Sequence, residues 1–446
     1  MTDKSFKVIT LGCKVNQYES AYLKDSLAGA GWQPAGKDET SDVVIINTCI
    51  VTQKAAHQSR QAIRKAIREN PDGYIAAVGC YAQALPKEIS QIEGVGLIAD
   101  NRMKADIPRF LINGGASSKT TALLKRYEAD APFDSLDIRS FPDRTRAYLK
   151  IQDGCQSFCS YCIVPFTRGP YRSLAPEKVL HMLEVLSGQG YKEVVFTGIH
   201  LGKYGVDLKD DTDLVSLLQM VGREGYPLRI RLSSIEPNEI EMGLIEMAAS
   251  ERWLCRHFHI PLQSGDNRVL KMMNRKYTTR GFAEIVEAIY SKIPHVCIGV
   301  DIMSGFPGED SKAHRNSCSL IKNLPLSYLH VFPFSPRPGT AANKFKDRVD
   351  SRVIKKRAAE LRDLGERKRN LFYRGCLQEE FQVLGEGWDS ETPGVMKGRS
   401  DNYLPVLFPS DHIRESPLVQ VLMERVEGDV VVGSDLSRRP FKNHPI

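Results

Sequence analysis

The chain has 446 residues, of which 42% are hydrophobic and 26% are charged, and this composition is typical of a soluble globular protein with two or three domains. No apolar run approaches the roughly 20 residues that span a bilayer. The segment MTDKSFKVIT lacks the features of a signal peptide, so we expect a cytoplasmic protein with no membrane partner. Ten cysteines in such a chain are better explained as metal ligands, catalytic thiols or core residues than as disulfides.

Residues 1–112 alternate between strand-like and helical patterns. The segment 52–70 has apolar residues near helical spacing and is followed by Pro71 and Gly73, which stop a helix. Strands that alternate with helices predict a parallel sheet, here of the Rossmann or flavodoxin-like type. The strand-like runs are 7–12, 42–48 and 74–79.

A cysteine follows each of these three runs. Because the carboxyl ends of parallel strands lie along one rim of a sheet, Cys13, Cys49 and Cys80 are predicted to come together in space. Three thiolates can hold three irons of a [4Fe–4S] cluster and leave the fourth iron open to another ligand. The alternative is three separate core cysteines, since cysteine is commonly buried.

Residues 113–140 are polar and rich in glycine and serine, and we predict a linker there. Residues 141–375 form a second alternating series with six candidate strands. Six strand–helix units predict a partial (β/α)6 barrel, whose active site lies at the carboxyl ends of the strands. The strands read AYLKIQD, EVVFTGI, RIRLSS, HFHIPLQ, CIGVDIMSG and YLHVFPFS.

The first barrel strand leads directly into a second group of cysteines. Cys155, Cys159 and Cys162 have the spacing C-x3-C-x2-C, which is too tight for a zinc site built from two separated cysteine pairs. The spacing fits one short loop around a corner of an iron–sulfur cluster that again has one open iron. A structural zinc or iron–sulfur module that binds RNA is the non-enzymatic alternative.

The last hundred residues carry the excess of positive charge. Residues 343–375 contain twelve lysines and arginines against five acidic residues, a difference equal to the net charge of +7 of the whole chain. A helical segment of this kind indicates a phosphate-binding surface, although a solvated helix face has the same composition. Residues 376–446 read as a small antiparallel β-barrel, in which Lys397, Arg399 and Tyr403 interleave basic and aromatic side chains as in many nucleic-acid binders. An ordinary surface hairpin has the same pattern.

Both cysteine groups lie within longer motifs that resemble the radical S-adenosylmethionine (SAM) methylthiotransferase family. The resemblance runs in order along nearly the whole chain. It implies two [4Fe–4S] clusters, one auxiliary and one that binds SAM, and a C-terminal RNA-binding domain of the TRAM type. The motifs are TLGCKVNQYES, NTC, GCYAQ, YLKIQDGCQSFCSYCIVPFTRGPYRS, GYKEVVFTGIHLGKYG, RIRLSSIEPNEI, HIPLQSGDNRVLKMMNRKYT, GVDIMSGFPGE, LHVFPFSPRPGT and KGRSDNYLPV.

By position, the resemblance also implies roles for residues at the barrel rim. Tyr161 is expected beside the adenine of SAM, and Thr197 and Gly198 near its amino group. Ser234, with Ser233 and Glu236, is expected to contact ribose or substrate. The catalytic and metal-binding residues implied are the six cysteines Cys13, Cys49, Cys80, Cys155, Cys159 and Cys162.

Within the family, LGCKVNQYES, TGIHLG, RLSSIEP and SPRPGT resemble the branch that acts on threonylcarbamoyladenosine in tRNA. This implies conversion of N6-threonylcarbamoyladenosine at position 37 to its 2-methylthio derivative, with a radical from SAM removing hydrogen from C2 of adenine. The implied partners are the tRNA anticodon stem-loop, an external electron donor and a sulfur source. Two sister activities stay open: methylthiolation of isopentenyladenosine in tRNA, and of an aspartate of a ribosomal protein.

Other polar residues of the barrel have less certain roles. His257 and His259 share one face of a predicted strand with Gln263, which indicates interior hydrogen bonding or, alternatively, a second metal. Asp301 is expected to face the cavity. Four further cysteines have no ligand spacing and are interpreted as core or incidental residues: Cys255, Cys297, Cys318 and Cys376.

Overall fold

The computed structural model describes most of the chain. The residues described are 4–36, 38–115, 120–125, 127–128, 131–138, 141, 144–410 and 418–436. None of the helices in these ranges combines the length and the apolar character needed to cross a bilayer.

In the N-terminal region, the residues that the structure describes form six strands and five helices. The strands are β1 (Ser5–Thr10), β2 (Gln33–Pro34), β3 (Val43–Thr48), β4 (Tyr74–Gly79), β5 (Val95–Ala99) and β6 (Thr121–Leu123). The helices are α1 (Lys14–Gly29), α2 (Gln53–Glu69), α3 (Cys80–Ala84), α4 (Pro86–Ser90) and α5 (Ile107–Ile112).

These six strands form one parallel sheet in the order β2-β1-β3-β4-β5-β6, which follows the flavodoxin-like order and confirms the predicted fold class. The strand β3 reads VVIINT and is buried at every residue, as expected of a central strand covered on both faces. Helix α2 begins after Thr52, whose hydroxyl accepts a hydrogen bond from the N–H of Ala55 at 3.0 Å. The first strand ends at Thr10, earlier than predicted, because Gly12 turns the chain out of the sheet with a φ of +94°.

The predicted linker packs against both of its neighbours where it is described. Thr121–Leu123 adds the sixth strand to the N-terminal sheet. Leu136 and Ile138 are buried in the core that lies under the barrel helices. The domain boundaries 1–112, 113–140, 141–375 and 376–446 stay a prediction.

Eight strands and eight helices lie in the described part of the central region. The strands are β7 (Ala147–Lys150), β8 (Gln152–Asp153), β9 (Arg172–Ser173), β10 (Glu193–Thr197), β11 (Arg229–Leu232), β12 (His257–Gln263), β13 (Cys297–Ser304) and β14 (Tyr328–Pro333). The helices are α6 (Val164–Arg168), α7 (Pro176–Gly188), α8 (Leu214–Glu224), α9 (Met242–Ser250), α10 (Asn267–Met272), α11 (Thr279–Lys292), α12 (Ser311–Asn323) and α13 (Ser351–Gly375). Short 3-10 turns lie at Asn101–Met103, Leu201–Lys203, Pro237–Glu239 and Ala341–Lys344.

Six of these strands build the predicted partial barrel. Parallel pairing joins β7, β10 and β11 in one sheet and β12, β13 and β14 in a second sheet. Isolated parallel bridges from Ile230 to Leu254 and from Ser234 to His259 connect the two sheets. The helices between the strands cover the outside and bury one large apolar cluster, so the fold class predicted for this region is confirmed.

The C-terminal region is a closed five-stranded barrel that confirms the predicted small β-domain. Its strands are β15 (Glu380–Trp388), β16 (Val395–Ser400), β17 (Pro405–Pro409), β18 (Leu418–Glu427) and β19 (Val430–Asp435), in the order β15-β16-β17-β19-β18. The sequence predicted an antiparallel barrel. Four of the strand pairs are antiparallel, but β17 and β19 pair in parallel, so this part of the prediction is wrong. The OB class of barrels has the same number of strands.

Candidate active site

The three cysteines of the N-terminal region lie at the ends of three adjacent strands. Cys13 precedes α1, Cys49 follows β3, and Cys80 is the first residue of α3 directly after β4. Cys13 is exposed, whereas Cys49 and Cys80 are buried. Burial and the neighbouring Cys80 thiol raise the pKa of Cys49 to about 12. The thiol of Cys49 therefore stays protonated at neutral pH until a bound metal displaces its proton.

A glycine allows the close approach of two of these cysteines. Gly12 has a φ of +94°, and a Cβ atom placed on it would lie 2.8 Å from the Sγ of Cys49. Any side chain at position 12 would collide with the thiol of Cys49. Only glycine therefore lets the backbone before Cys13 pass this close to Cys49.

A buried arginine connects this group of cysteines to the barrel. Arg168 is 1% exposed and donates to Glu19 at 3.2 Å and to the amide oxygen of Asn16 at 2.7 Å, both on α1. Its positive charge also acts on the thiols of Cys13 and Cys80. Because Arg168 ends α6, the helix that follows the second cysteine group, it holds the two cysteine groups in a fixed relation.

The second group, Cys155, Cys159 and Cys162, lies on a single loop between β8 and α6. The N–H of Cys155 donates to the carbonyl of Gly169 at 2.9 Å, and the N–H of Cys162 donates to the carbonyl of Cys159 at 2.9 Å. Burial raises the pKa of Cys162 to about 12. A basic side chain contacts each of the other two thiols, His200 at Cys155 and Arg275 at Cys159. Burial outweighs the charge of Arg275, so the pKa of Cys159 stays raised.

These two side chains come from later parts of the barrel, because His200 follows β10 and Arg275 lies between α10 and α11. The Nδ1 of His200 lies 3.3 Å from the Sγ of Cys155, and its Nε2 lies 2.8 Å from Glu239. Burial alone raises the pKa of Cys155, but the hydrogen bond and charge of His200 outweigh it and lower this pKa below the usual value. Arg275 donates to the Sγ of Cys159 at 3.3 Å and is paired with the carboxylate of Glu236.

The conformation of the cluster loop depends on Gly154, which has a φ of +78°. A Cβ atom at this position would lie 1.6 Å from the carbonyl oxygen of Pro170.

We expect Gly154→Ala to displace the loop, so that the protein loses the iron held by Cys155, Cys159 and Cys162 and keeps the iron of the other group. Iron and sulfide content after anaerobic reconstitution measures this. The matched control is Gly188→Ala, where a Cβ atom meets nothing within 4 Å; equal iron losses in both variants would contradict the prediction.

The other rim residues predicted from the sequence lie close to this loop. Thr197 is buried at the end of β10, and its carbonyl accepts from the N–H of Ile151 at 3.0 Å. Gly198 packs against Gln152, whose amide oxygen also holds the N–H of His200. Tyr161 is partly buried against Phe306, and Ser234 is exposed beside β12. Their roles toward SAM stay a prediction.

The histidines of the barrel interior belong to a hydrogen-bonded network. The hydroxyl of Tyr328 lies 2.9 Å from His257 and 3.0 Å from His259. Asp301 faces the interior as predicted, and its carboxylate lies 2.9 Å from the Nε2 of His259 and 3.3 Å from the Nδ1 of His330. These contacts agree with interior hydrogen bonding, the first of the two interpretations of these histidines.

Both cysteine groups fit an iron–sulfur cluster better than a single ion. Zinc–thiolate bonds of about 2.3 Å bring the sulfurs of a tetrahedral site to about 3.8 Å from one another. Among the residues that the structure describes, only His259, Asp301 and His330 place three ligand atoms within 4.8 Å of one another. Neither cysteine group brings its three sulfurs within this limit, so both groups are wider than a single tetrahedral zinc ion requires.

Sequence reasoning missed the charged residues that support the thiols. His200, Arg275 and Arg168 are far from their partners along the chain, and no spacing rule connects them. The available signal was their presence in the motifs TGIHLG, NRKYT and FTRGP.

Comparisons with known proteins agree with this arrangement. Residues 5–99 match the family described as uncharacterized protein family UPF0004, and residues 149–320 match the radical SAM superfamily. The chain is 37% identical to the threonylcarbamoyladenosine tRNA methylthiotransferase MtaB of Bacillus subtilis, over 92% of both chains. It is 36% identical to the protein of the same name from Aquifex aeolicus, over 84% of this chain and 91% of the relative.

A relative whose name gives a different substrate has a similar degree of identity. The chain is 32% identical to the tRNA-2-methylthio-N(6)-dimethylallyladenosine synthase of Pelotomaculum thermopropionicum, over 92% of both chains. Among solved structures, the radical S-adenosylmethionine methyltransferase TsrM of Kitasatospora setae, with cobalamin and a [4Fe-4S] cluster bound, aligns with a TM-score of 0.56. The alignment covers 76% of this chain and 77% of TsrM at 13% identity, and it shows a shared fold.

Proposed function

Because the chain belongs to the radical SAM methylthiotransferase family, we propose that it converts N6-threonylcarbamoyladenosine at position 37 of tRNA to the 2-methylthio derivative. The observation that carries this proposal is the pair of cysteine groups, each at strand ends and each one ligand short of a closed cluster. The choice of substrate rests on the relatives named as threonylcarbamoyladenosine enzymes, at up to 37% identity. A cytoplasmic location follows from a tRNA substrate.

The residues of the chain have distinct tasks in this proposal. Cys13, Cys49 and Cys80 would hold the auxiliary cluster, and the loop cysteines Cys155, Cys159 and Cys162 would hold the cluster that binds SAM. When bound, the clusters and SAM supply the sulfur, the methyl group and the one-electron chemistry that an unactivated C–H bond requires. Tyr161, Thr197, Gly198 and Ser234 would orient SAM and substrate at the rim. An external electron donor and a sulfur source are required in addition.

The enclosure of the site is part of this proposal. The N-terminal sheet presents its cysteines toward the barrel, and Arg168 with Glu19 closes the boundary between the two regions in a buried ionic cluster. Both residues are almost completely buried. Such an enclosure keeps water and stray thiols away from reactive species formed between the two cysteine groups.

The tRNA-binding surface is proposed on α13. Several of its basic residues serve the fold instead: Arg357 is buried on Glu309, and Lys368 donates to the carbonyls of Lys322 and Leu324. Four exposed cations on this helix have no ion-pair partner among the described residues, and these are the ones free to contact phosphate. They are Lys355, Lys356, Arg362 and Arg374.

We expect replacement of Lys355, Lys356 and Arg362 by glutamine to weaken tRNA binding. The slope of log Kd against log salt concentration should fall by about 2–3, because each lost phosphate contact lowers this slope by about 0.7–0.9. Fluorescence anisotropy over a salt series measures this slope. The matched control replaces three exposed cations on the outer barrel helices, namely Lys178, Arg223 and Arg280. An equal change of slope in both triple variants would contradict the assignment to α13.

Nucleoside mass spectrometry tests the proposed function. The protein is reconstituted without oxygen and supplied with SAM, a reductant, sulfide and tRNA that lacks methylthio groups. We expect a methylthio mass increment on threonylcarbamoyladenosine. An increment on dimethylallyladenosine alone would overturn the substrate, and SAM cleavage with no modified nucleoside would point to a protein substrate.

A further inference from the structure

The strands β12, β13 and β14 carry a layer of polar side chains on their interior face. On β14, Leu329 and Val331 pack against the core under the helices, so His330 between them faces the barrel interior. The parallel register places His330 beside Asp301 of β13, and His259 of β12 completes the layer. The Nε2 of His259 lies 2.9 Å from one carboxylate oxygen of Asp301, and the Nδ1 of His330 lies 3.3 Å from the same oxygen. Two imidazole groups therefore share one carboxylate.

These hydrogen bonds leave one nitrogen of His330 unused. Burial alone raises the pKa of Asp301, but the hydrogen bonds from His259 and His330 outweigh it and hold this pKa well below the usual value. An ionised carboxylate only accepts, so the Nδ1 of His330 carries the proton of its contact with Asp301. Both nitrogens of His259 are occupied, because its Nδ1 lies 3.0 Å from the hydroxyl of Tyr328. The Nε2 of His330 has no hydrogen-bond partner among the described residues.

The barrel interior is open on the side of this layer that faces the cluster loop. The His330 side chain is 54% exposed, and Phe332, two residues further along the same face, is 42% exposed. On β13 the same step leads from Asp301 to Met303, which packs against the same apolar cluster as Tyr161 of the cluster loop. Two residues of a strand span about 7 Å, so the layer lies about one such step below the loop. It forms the floor of the space that the target base enters under the proposed function.

The two N6 substituents named for the relatives differ in what they offer to this floor. A threonylcarbamoyl group has a free carboxylate and a hydroxyl, whereas a dimethylallyl group is apolar and uncharged. An imidazole that donates from one nitrogen to a carboxylate can take up a proton at the other nitrogen and donate to a second carboxylate. Since the layer has two imidazoles for one carboxylate, the carboxylate of a ligand balances its charge when both imidazoles are protonated. A dimethylallyl group would leave the Nε2 of His330 without a partner.

We propose that this layer is the binding site of the threonylcarbamoyl group and that the Nε2 of His330 donates a hydrogen bond to its carboxylate. Asp301 orients the ring of His330, and His259, which is fixed by Tyr328, holds Asp301 in place. The inference rests on the proposed function and names the residue that selects the threonylcarbamoyl substrate over the dimethylallyl one. The ligand atoms of His259, Asp301 and His330 also lie within 4.8 Å of one another, so a bound metal ion is the competing occupant that the test has to separate.

The test uses the reconstituted enzyme with SAM, without a reductant, and three synthetic anticodon stem-loops that differ only at position 37. One has threonylcarbamoyladenosine, one has its threonyl methyl ester, and one has dimethylallyladenosine. Fluorescence anisotropy gives a Kd for each RNA. In His330→Asn the side-chain amide nitrogen takes the place of Nδ1 and keeps the contact with Asp301, whereas in His330→Gln it takes the place of Nε2. The matched control is His181→Asn, which changes an exposed histidine of α7 that lies 3.7 Å from Glu184.

We expect the wild type to bind the free acid about 10- to 100-fold more tightly than the ester, as for a hydrogen bond to a charged group. His330→Asn is expected to bind acid and ester equally, because it lacks the outer donor. His330→Gln is expected to keep part of the preference, and His181→Asn all of it. Equal binding of acid and ester by the wild type overturns the inference without any variant. A preference that survives in His330→Asn overturns it as well, since such a preference would come from the bulk of the ester.

Two further measurements separate the alternatives. A preference for the acid that dialysis against EDTA abolishes and Zn²⁺ restores, with the iron and sulfide content unchanged, would overturn the direct contact with His330 in favour of a bound cation. Product formation by the wild type separates this inference from the proposed function. Methylthiolation of the acid RNA without a preference over the ester would overturn the role of His330 alone. Methylthiolation of the dimethylallyl RNA but not of the acid RNA would overturn the proposed function, and the role of His330 with it.

Discussion

Cys13→Ala is expected to abolish the methylthio product and to leave reductive cleavage of SAM intact. Cys13 belongs to the N-terminal sheet, while the loop with Cys155, Cys159 and Cys162 belongs to the barrel and has its own supporting residues, His200 and Arg275. Loss of one N-terminal thiol therefore leaves the loop unchanged. Cys159→Ala removes a thiol from the loop itself and is expected to stop SAM cleavage and product formation together.

Two measurements on the same reaction separate these outcomes. Chromatography quantifies 5′-deoxyadenosine, the product of reductive SAM cleavage, and mass spectrometry quantifies the methylthio nucleoside. The matched control is Cys318→Ala, since Cys318 is partly buried on α12 with His314 as its neighbour at 3.6 Å and lies in neither cysteine group. Full product formation by Cys13→Ala would contradict the division of tasks between the two groups.

The sequence predicted the strands well, because each is a short apolar run bounded by turn residues. It also predicted which cysteines converge in the N-terminal region, since cysteines at the ends of adjacent parallel strands have to share one rim of the sheet. His200, Arg275 and Glu19 were out of reach. Their contacts depend on the packing of distant elements, and a histidine or an arginine has no periodicity that reports its partner.

The C-terminal domain shows what an alternating pattern leaves open. The alternation of Lys397, Arg399 and Tyr403 is shared by many nucleic-acid binders and by ordinary surface hairpins. In the structure, Tyr403 stacks on His257 of the barrel, Arg399 lies over the ring of Tyr403, and the exposed Lys397 is paired with Asp389 at 2.7 Å. Alternation along a strand fixes which residues share a face, but it does not reveal whether that face meets solvent or another domain.

The buried ionic cluster around Glu19 leads to the second large expected effect. Glu19 is 1% exposed and lies on α1 between Lys104, Arg168 and Lys150. Among the residues that the structure describes, Glu19→Gln leaves the three buried cations with Asp153, which is also paired with Arg172, as their remaining carboxylate. Breaking a buried ion pair on one side destabilises a protein by about 3–5 kcal/mol, so we expect a loss of this size in the free energy of unfolding. Urea unfolding followed by tryptophan fluorescence measures this loss.

Two comparisons make this prediction specific. Glu284→Gln breaks an exposed pair with Arg280 on α11 and is expected to leave the free energy of unfolding almost unchanged, because water screens such a pair. The double variant Glu19→Gln with Lys104→Met is expected to lose less than the sum of its single variants, because the second change removes a cation that the first left unpaired. Additive losses would show that the cluster does not act as a unit.

The same residue gives the stability a defined acid dependence. Burial alone raises the pKa of Glu19, but the charges of Arg168, Lys104 and Lys150 outweigh it and hold the pKa at about 2, below the ordinary 4.5. A carboxyl whose pKa is depressed on folding contributes stability that is complete above its unfolded pKa and is lost as the pH falls toward the folded pKa. The wild type is therefore expected to lose this contribution between about pH 4.5 and pH 2. The glutamine of Glu19→Gln cannot titrate, so the free energy of unfolding of this variant should decrease less steeply with falling pH across that window. Equal slopes in the variant and the wild type would contradict an ionised Glu19 at the boundary between the sheet and the barrel.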